Sequence, residues 1–193
     1  MPDSRKDQLL ELTHDYVRQH GLADLSLRPL AAAVGSSPRV LLFLFGSKDG
    51  LVKALLERAR DDELRLLRTL PEAGLIDTAH LLWGWLRDPG HRGSVTLWAE
   101  AYARSLVARD EVWAGFAERT VNDWLGFLAA RQDDSERGTT RALAVRTAVL
   151  MALRGALLDL LATGDDERVT AALECTLHGL AGGASSPRGS MDA

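Results

Sequence analysis

Three glycines, Gly21, Gly35 and Gly46, cut the first fifty residues into short apolar pieces. Pieces of that length are not stable alone, because isolated helices under about 12–15 residues are marginal in water. They must therefore pack on one another. Arg5 to His20 carries Leu9, Leu10, Thr13, Tyr16 and Val17 at helical spacing on one face. Beyond Gly21, Ser26 is a candidate N-cap for a short helix that would bury Leu30, Ala31 and Val34. After the turn at Gly35-Ser36-Ser37, Ser37 caps a third piece that starts at Pro38, where a missing N–H costs little. Val40 to Phe45 is apolar throughout, so its periodicity suits a strand as well as a helix. The Ser-Pro start, and the lack of a neighbouring strand to pair with, favour a helix. Ser47 then caps a long helix to about Leu70, closed by Pro71.

The rest of the chain continues in helical segments, expected over 75–87, 93–108, 111–130, 138–163 and 166–181. Turns are expected at Asp88-Pro89-Gly90, Asp133-Asp134-Ser135 and Thr163-Gly164-Asp165. Only six prolines fall in 193 residues, which suits an all-α fold. The single cysteine, Cys175, excludes an intramolecular disulfide and a Cys-based zinc site, and is expected to be a small buried hydrophobe. No apolar run reaches a membrane-spanning length, and the N-terminus lacks the apolar core of a signal peptide. A cytoplasmic protein is expected. The net charge of −4 argues against binding a polyanion by bulk positive charge. That total hides a mild asymmetry: residues 1–60 hold nine basic and seven acidic side chains, a net +2, against −6 for the remainder.

Two short helices joined by a glycine-containing turn form the helix-turn-helix layout. The second would enter a DNA major groove and offer its first residues to base edges. Ser36 and Ser37 are small there, and Arg39 can pair bidentately with guanine or fall back on a phosphate. Lys48 stands at the start of the next helix, where backbone amides and an ammonium together suit a phosphate.

From Ser26 to Leu51 the segment SLRPLAAAVGSSPRVLLFLFGSKDGL resembles, without a gap, the DNA-binding core of the tetracycline-repressor-type (TetR) regulators. Members usually read T-x-x-x-I-A-x-x-A-G-V-S-x-G-x-L-Y-x-H-F-x-S-K-E-x-L. Ala31, Gly35, Ser37, Leu41, Phe45, Ser47, Lys48 and Leu51 match, and Ser26, Leu30 and Asp49 are similar. Resemblance is strong over roughly 5–58, and looser over 140–180, where Met151 to Leu180 is similar to the closing helices of many members. It implies an N-terminal three-helix DNA-binding domain over 1–47. A helical effector-binding and dimerisation domain follows over 48–181, entered through a connecting helix over 48–70, with a disordered tail over 182–193. The implied partners are a double-stranded operator, a small-molecule effector and a second copy of the chain. Ser26, Arg28, Val40, Leu42 and Phe43 join Ser36, Ser37, Arg39 and Lys48 on the expected DNA face. The family's phosphate-contacting aromatic is Leu42 here and its usual histidine is Leu44; Arg39 replaces a glycine and Ser36 a valine. Losing two phosphate donors weakens non-specific affinity. The two leucines either meet thymine methyls or pack inward.

All five tryptophans lie between residues 75 and 130, where the resemblance implies an effector cavity. Trp98, Tyr102 and Trp113 are the first candidates to line it, with Trp83, Phe116 and Trp124 behind them; a well-packed core is the alternative. On 138–163, Leu143, Leu150, Leu153, Leu157 and Leu160 make one stripe. Val145, Val149, Ala152 and Ala156 make another, and Ala148, Ala152, Gly155 and Ala156 permit close helix approach. Either the helix is central in a monomer or one face meets a partner. The resemblance favours a two-fold interface built from the leucine stripe with Leu173 and Leu177. The scattered histidines lack metal-ligand spacing. Glu174 and His178 stand at pairing distance along a helix, and Asp61-Asp62-Glu63 reads as a solvated face. There is no phosphate loop, serine elbow or Cys/His pair. No catalytic residue, metal or cofactor is expected, so the rival to a regulator is a dimeric small-molecule- or partner-binding helical protein with weakened DNA binding.

Overall fold

The computed structural model describes residues 4–23, 25–107 and 112–184. Helices in chain order are α1 (Arg5–His20), α2 (Leu27–Ala33), α3 (Pro38–Phe45), α4 (Lys48–Thr69), α5 (Leu75–Leu86), α6 (Arg92–Val107), α7 (Phe116–Ala129), α8 (Thr140–Thr163) and α9 (Asp166–Ala184). A 3-10 turn over Pro89–His91 leads into α6. No strand occurs among the described residues.

Several helix starts follow side-chain caps, those of α2 and α5 excepted. Ser4 and Asp7 form a reciprocal capping box on α1. Ser37 Oγ accepts the Val40 N–H at 3.2 Å, with Pro38 in the first turn of α3. Thr139 caps α8 through the Ala142 N–H. Two turns depend on glycine's freedom at positive φ: Gly35 (62°) between α2 and α3, and Gly46 (79°) between α3 and α4.

The chain divides into two compact units. The first holds residues up to Thr69 together with Pro89–Asp123. Its core gathers Leu9 and Val17 of α1, Leu30 and Ala31 of α2, Leu41 and Phe45 of α3, and Leu51 and Leu55 of α4. Leu97 and Ala101 of α6 join that core, as do Trp113 and Phe116. The two short helices, α2 and α3, are thus stabilised by burying one face each against longer helices.

The second unit holds Leu70–Asp88 and everything from Trp124 onward. Here α8 packs on α9 and on α5. Ala79 and Leu82 of α5, Val149 and Leu153 of α8, and Leu173 and Leu177 of α9 are buried. Polar clasps join α5 to α9: Trp83 Nε1 donates to Thr170 Oγ1 at 2.9 Å, Arg87 meets Asp166 at 2.7 Å, and His80 meets Glu174 at 3.1 Å.

Several expectations shift. Of the helix expected over 111–130, residue 111 lies outside the described residues, and among those described the helix begins only at Phe116, because Gly115 takes a φ of 71° just before it. The Trp113 carbonyl accepts the Ser105 hydroxyl, which itself accepts the Ala117 N–H, so α6 holds this entry. At the C-terminal end, α9 continues to Ala184, three residues into the expected tail; 185–193 lie outside the described residues. Cys175 is exposed rather than buried. Glu174 sends its carboxylate to His80, while His178 Nδ1 bonds the Glu174 backbone carbonyl.

Candidate nucleic-acid interface

Helices α2 and α3 and the turn between them present one outward surface. Leu41 and Phe45 point into the core, which turns Arg39, Val40, Leu42 and Phe43 outward. Ser26 is exposed, and its hydroxyl makes no capping bond to α2. Arg28, Arg39 and Lys48 are exposed, while Ser36 and Ser37 are half-buried in the turn. Lys48 opens α4, where the N-terminal end of the helix adds positive character although the Gly50 N–H is already bonded to Ser47 Oγ. Ser26, Arg28, Ser36, Ser37, Arg39, Val40, Leu42, Phe43 and Lys48, the nine residues expected to face DNA, are thus all exposed or half-buried. The open question over the two leucines divides between them. Leu42 is 39% exposed, whereas Leu44 is half-buried against the core.

An ionic clasp between α1 and α4 holds this surface from behind. Arg58 of α4 donates to both Glu11 carboxylate oxygens, at 2.5 and 2.9 Å, and also pairs with Asp62. Those bonds hold the Glu11 carboxyl below its ordinary range and raise the Arg58 guanidinium. Beneath lies His14, only 4% exposed, with Nε2 3.8 Å from Asp62. Burial is the main force pushing its pKa down, and Arg58 and Arg18 push the same way against Asp62 and Glu11. Asp62 thus belongs to a network, not to a merely solvated acidic face. A second clasp runs from α6, where Glu100 accepts the Leu22 N–H at 2.7 Å just after α1. Neither clasp was visible in the sequence, since its partners lie 47 and 78 positions apart.

The aromatic candidates for an effector site fall in both units. Trp98 and Tyr102 are half-buried and stack on one face of α6, ring centroids 5.0 Å apart. Trp113 and Phe116 are buried in the core of the first unit, with the Arg104 guanidinium 5.4 Å from the Trp113 ring. Trp83 and Trp124 are buried in the second.

The residues expected at a partner interface separate sharply. Leu150, Leu153, Leu157, Leu160, Leu173 and Leu177 are buried within the single chain, so this stripe serves the chain's own packing; Leu143 alone stays exposed. The opposite face of α8 is the open one. A groove of about 450 Å³ runs between α8 and α9, floored by Ala148, Ala152, Gly155, Ala156 and Ala172. Met151 borders it at 68% exposure, and Leu158 nearby on α8 is 52% exposed. Among the described residues no cluster of His, Cys, Asp and Glu could hold a metal ion. No helix among them is long and apolar enough to cross a membrane.

No family model matches the sequence. The HTH-type transcriptional regulator EthR of Mycobacterium tuberculosis is 28% identical over 142 residues, covering 70% of this chain and 64% of EthR. The chain thus matches just under two thirds of that relative's length. The HTH-type transcriptional repressor AcnR of Corynebacterium efficiens is 32% identical over 88 residues, covering 46% of this chain and 44% of AcnR. Among solved structures, the multidrug binding protein EbrR complexed with proflavin superposes with a TM-score of 0.68 at 25% identity, covering 92% of this chain and 99% of EbrR.

Proposed function

We propose, from its sequence resemblance to the TetR-type regulators, its similarity to two HTH-type regulators and its fold, that the chain is a ligand-responsive transcriptional regulator. As a homodimer in the cytoplasm, it binds a pseudo-palindromic DNA operator. The observation that carries this reading is the outward face of α3. Its apolar inner side is buried, while Arg39 and the α4 cation Lys48 are left free to meet a groove and its phosphate rims. Residues 1–47 form the reading head; 48–181 hold the effector and the partner.

The partner proposed is a second copy, seated on the α8–α9 groove. Small side chains along that groove let helices approach closely, and Met151 and Leu158 supply apolar area to bury. Two-fold pairing is also what a palindromic site demands, with half-sites one helical turn, about 34–36 Å, apart. The proposed effector is a drug-sized aromatic molecule, as suits a tryptophan-rich region and a neighbour complexed with proflavin. It acts by binding the DNA-competent and DNA-incompetent states unequally; equal affinity for both would shift nothing. Repression is the default sign, with the effector-bound protein leaving the operator and so switching genes on; activation is the alternative sign. The chemistry here is binding, not catalysis.

Selection of random duplexes on the immobilised full-length chain tests the reading. Enrichment of a pseudo-palindromic motif at low salt is expected. If no motif is enriched, the chain is instead a helical binding protein whose DNA affinity has decayed, a reading that Leu42 and Leu44 motivate.

A further inference from the structure

Successive residues of a helix are turned by about 100°, so on α3 Phe43 stands opposite the buried pair Leu41 and Phe45, with Arg39 and Val40 to either side. Phe43 is 85% exposed, and Val40 and Leu42 are each 39% exposed. Large exposed hydrophobics are scattered over the other helices, yet three crowd onto these eight residues. Such a patch needs a partner to cover it.

The surrounding charges say which. Exposed cations stand on the patch's own helix and on the two helices next to it in the chain, Arg39 on α3, Arg28 on α2 and Lys48 at the start of α4, with Asp49 the acidic exception there. The matching surface has anionic rims and an apolar floor. The major groove has phosphate rims, and the C5-methyl of thymine is the apolar feature on its floor. Polar readout is scarce on this helix. Its outward face offers the Arg39 guanidinium and no carboxamide or carboxylate, and Ser37 Oγ is already engaged by the Val40 N–H.

We infer that Phe43, flanked by Val40 and Leu42, determines the specificity of this reading head by recognising the methyl edges of thymines. The inference rests on the DNA-binding reading above and goes further, since it names the base feature that is read. Apolar contact with methyls replaces the phosphate anchoring that Leu42 and Leu44 do not provide.

The test uses the full-length chain and duplexes obtained by selection, each made twice, with thymine and with uracil at the half-site positions. Uracil keeps every hydrogen-bonding group and lacks only the methyl. Binding is expected to weaken roughly fourfold per contacted methyl, the equivalent of burying one methyl-sized group. The loss should persist as salt is raised, because a methyl contact releases no counterions. Phe43→Ala, at a position too exposed to support the core, should weaken binding to the thymine duplex and erase the thymine-to-uracil difference. Equal affinity for both duplexes overturns the inference while leaving the regulator reading intact. So does a Phe43→Ala variant that keeps the full thymine-to-uracil ratio. A variant with unchanged DNA affinity but altered oligomeric mass overturns it in favour of a protein partner. Failure of any duplex to be enriched overturns the reading beneath it.

Discussion

Gly93→Ala sets two physical effects against each other, and the structure decides the sign. Gly93 is the second residue of α6. A Cβ placed there would lie 2.6 Å from the backbone carbonyl oxygen of Arg18, near the end of α1. Helix propensity alone favours alanine over glycine by about 0.5–1 kcal/mol. The contact is well inside van der Waals distance, and its partner is backbone, which cannot rotate away as a side-chain tip does. Helix α6 must instead move off α1, straining the contacts of Leu97 and Ala101 with the shared core and the Glu100 bond to Leu22. Overpacking of this kind costs about 1–3 kcal/mol, which outweighs the propensity gain at most of its range. Net destabilisation of about 0–2.5 kcal/mol is expected. The control is Gly126→Ala in α7, where a Cβ meets nothing within 4 Å and propensity should stabilise by up to about 1 kcal/mol. Urea denaturation of both variants gives the comparison, with the midpoint shifts opposite in sign. Should Gly93→Ala be as stabilising as Gly126→Ala, the close packing of α6 on α1 is wrong, and with it the account of how the first unit is braced.

Two further outcomes follow from the clasp and the groove. His14 is held neutral by burial, so the unfolded chain takes up its proton near pH 6.5 while the folded chain resists; stability is complete above that pH and declines as pH falls below it. Arg58→Met removes a cation facing His14 and frees Asp62 to pair with it. It should lower stability at pH 7.5 by about 1–3 kcal/mol, yet make the decline from pH 7 to 5 shallower than in the parent. Urea midpoints at pH 5, 6 and 7.5 check this, and parallel decline in both proteins rules out the His14 assignment. On the α8–α9 groove, the double variant Met151→Asp, Leu158→Asp should weaken self-association at least about tenfold, since it places charge in an apolar contact. Light scattering across a dilution series reads it, and an unchanged dimer mass would move the interface elsewhere.

The helical pieces of the reading head were legible because their signals are local. Gly35 and Gly46 mark turns that need positive φ, and Ser37 with Pro38 marks a helix start. Each is a property of adjacent residues and survives without knowledge of the fold. The start of α7 was misread for the opposite reason. The Ser105 hydroxyl, from another helix, holds the turn around Gly115. The second unit shows the limit most clearly. Two apolar faces on α8 were evident from spacing, but spacing does not say which face the chain covers itself. Bulky Leu153 and Leu157 fill the space against neighbouring helices, whereas Ala152 and Ala156 leave a groove open.

Sequence alone therefore showed what short-range chemistry can show: the short helices of the first fifty residues, the Ser37 cap, the turns at Gly35 and Gly46, and the likeness to a DNA-reading family. Only the tertiary structure decided which apolar face of α8 is spent on the core, that Leu44 turns inward while Leu42 stays partly outside, and that Glu11, Arg58, Asp62 and His14 form one cluster. The reason is physical. Caps and turns are settled by groups a few residues apart, whereas burial and charge pairing depend on which distant segments meet, and spacing along the chain does not encode that.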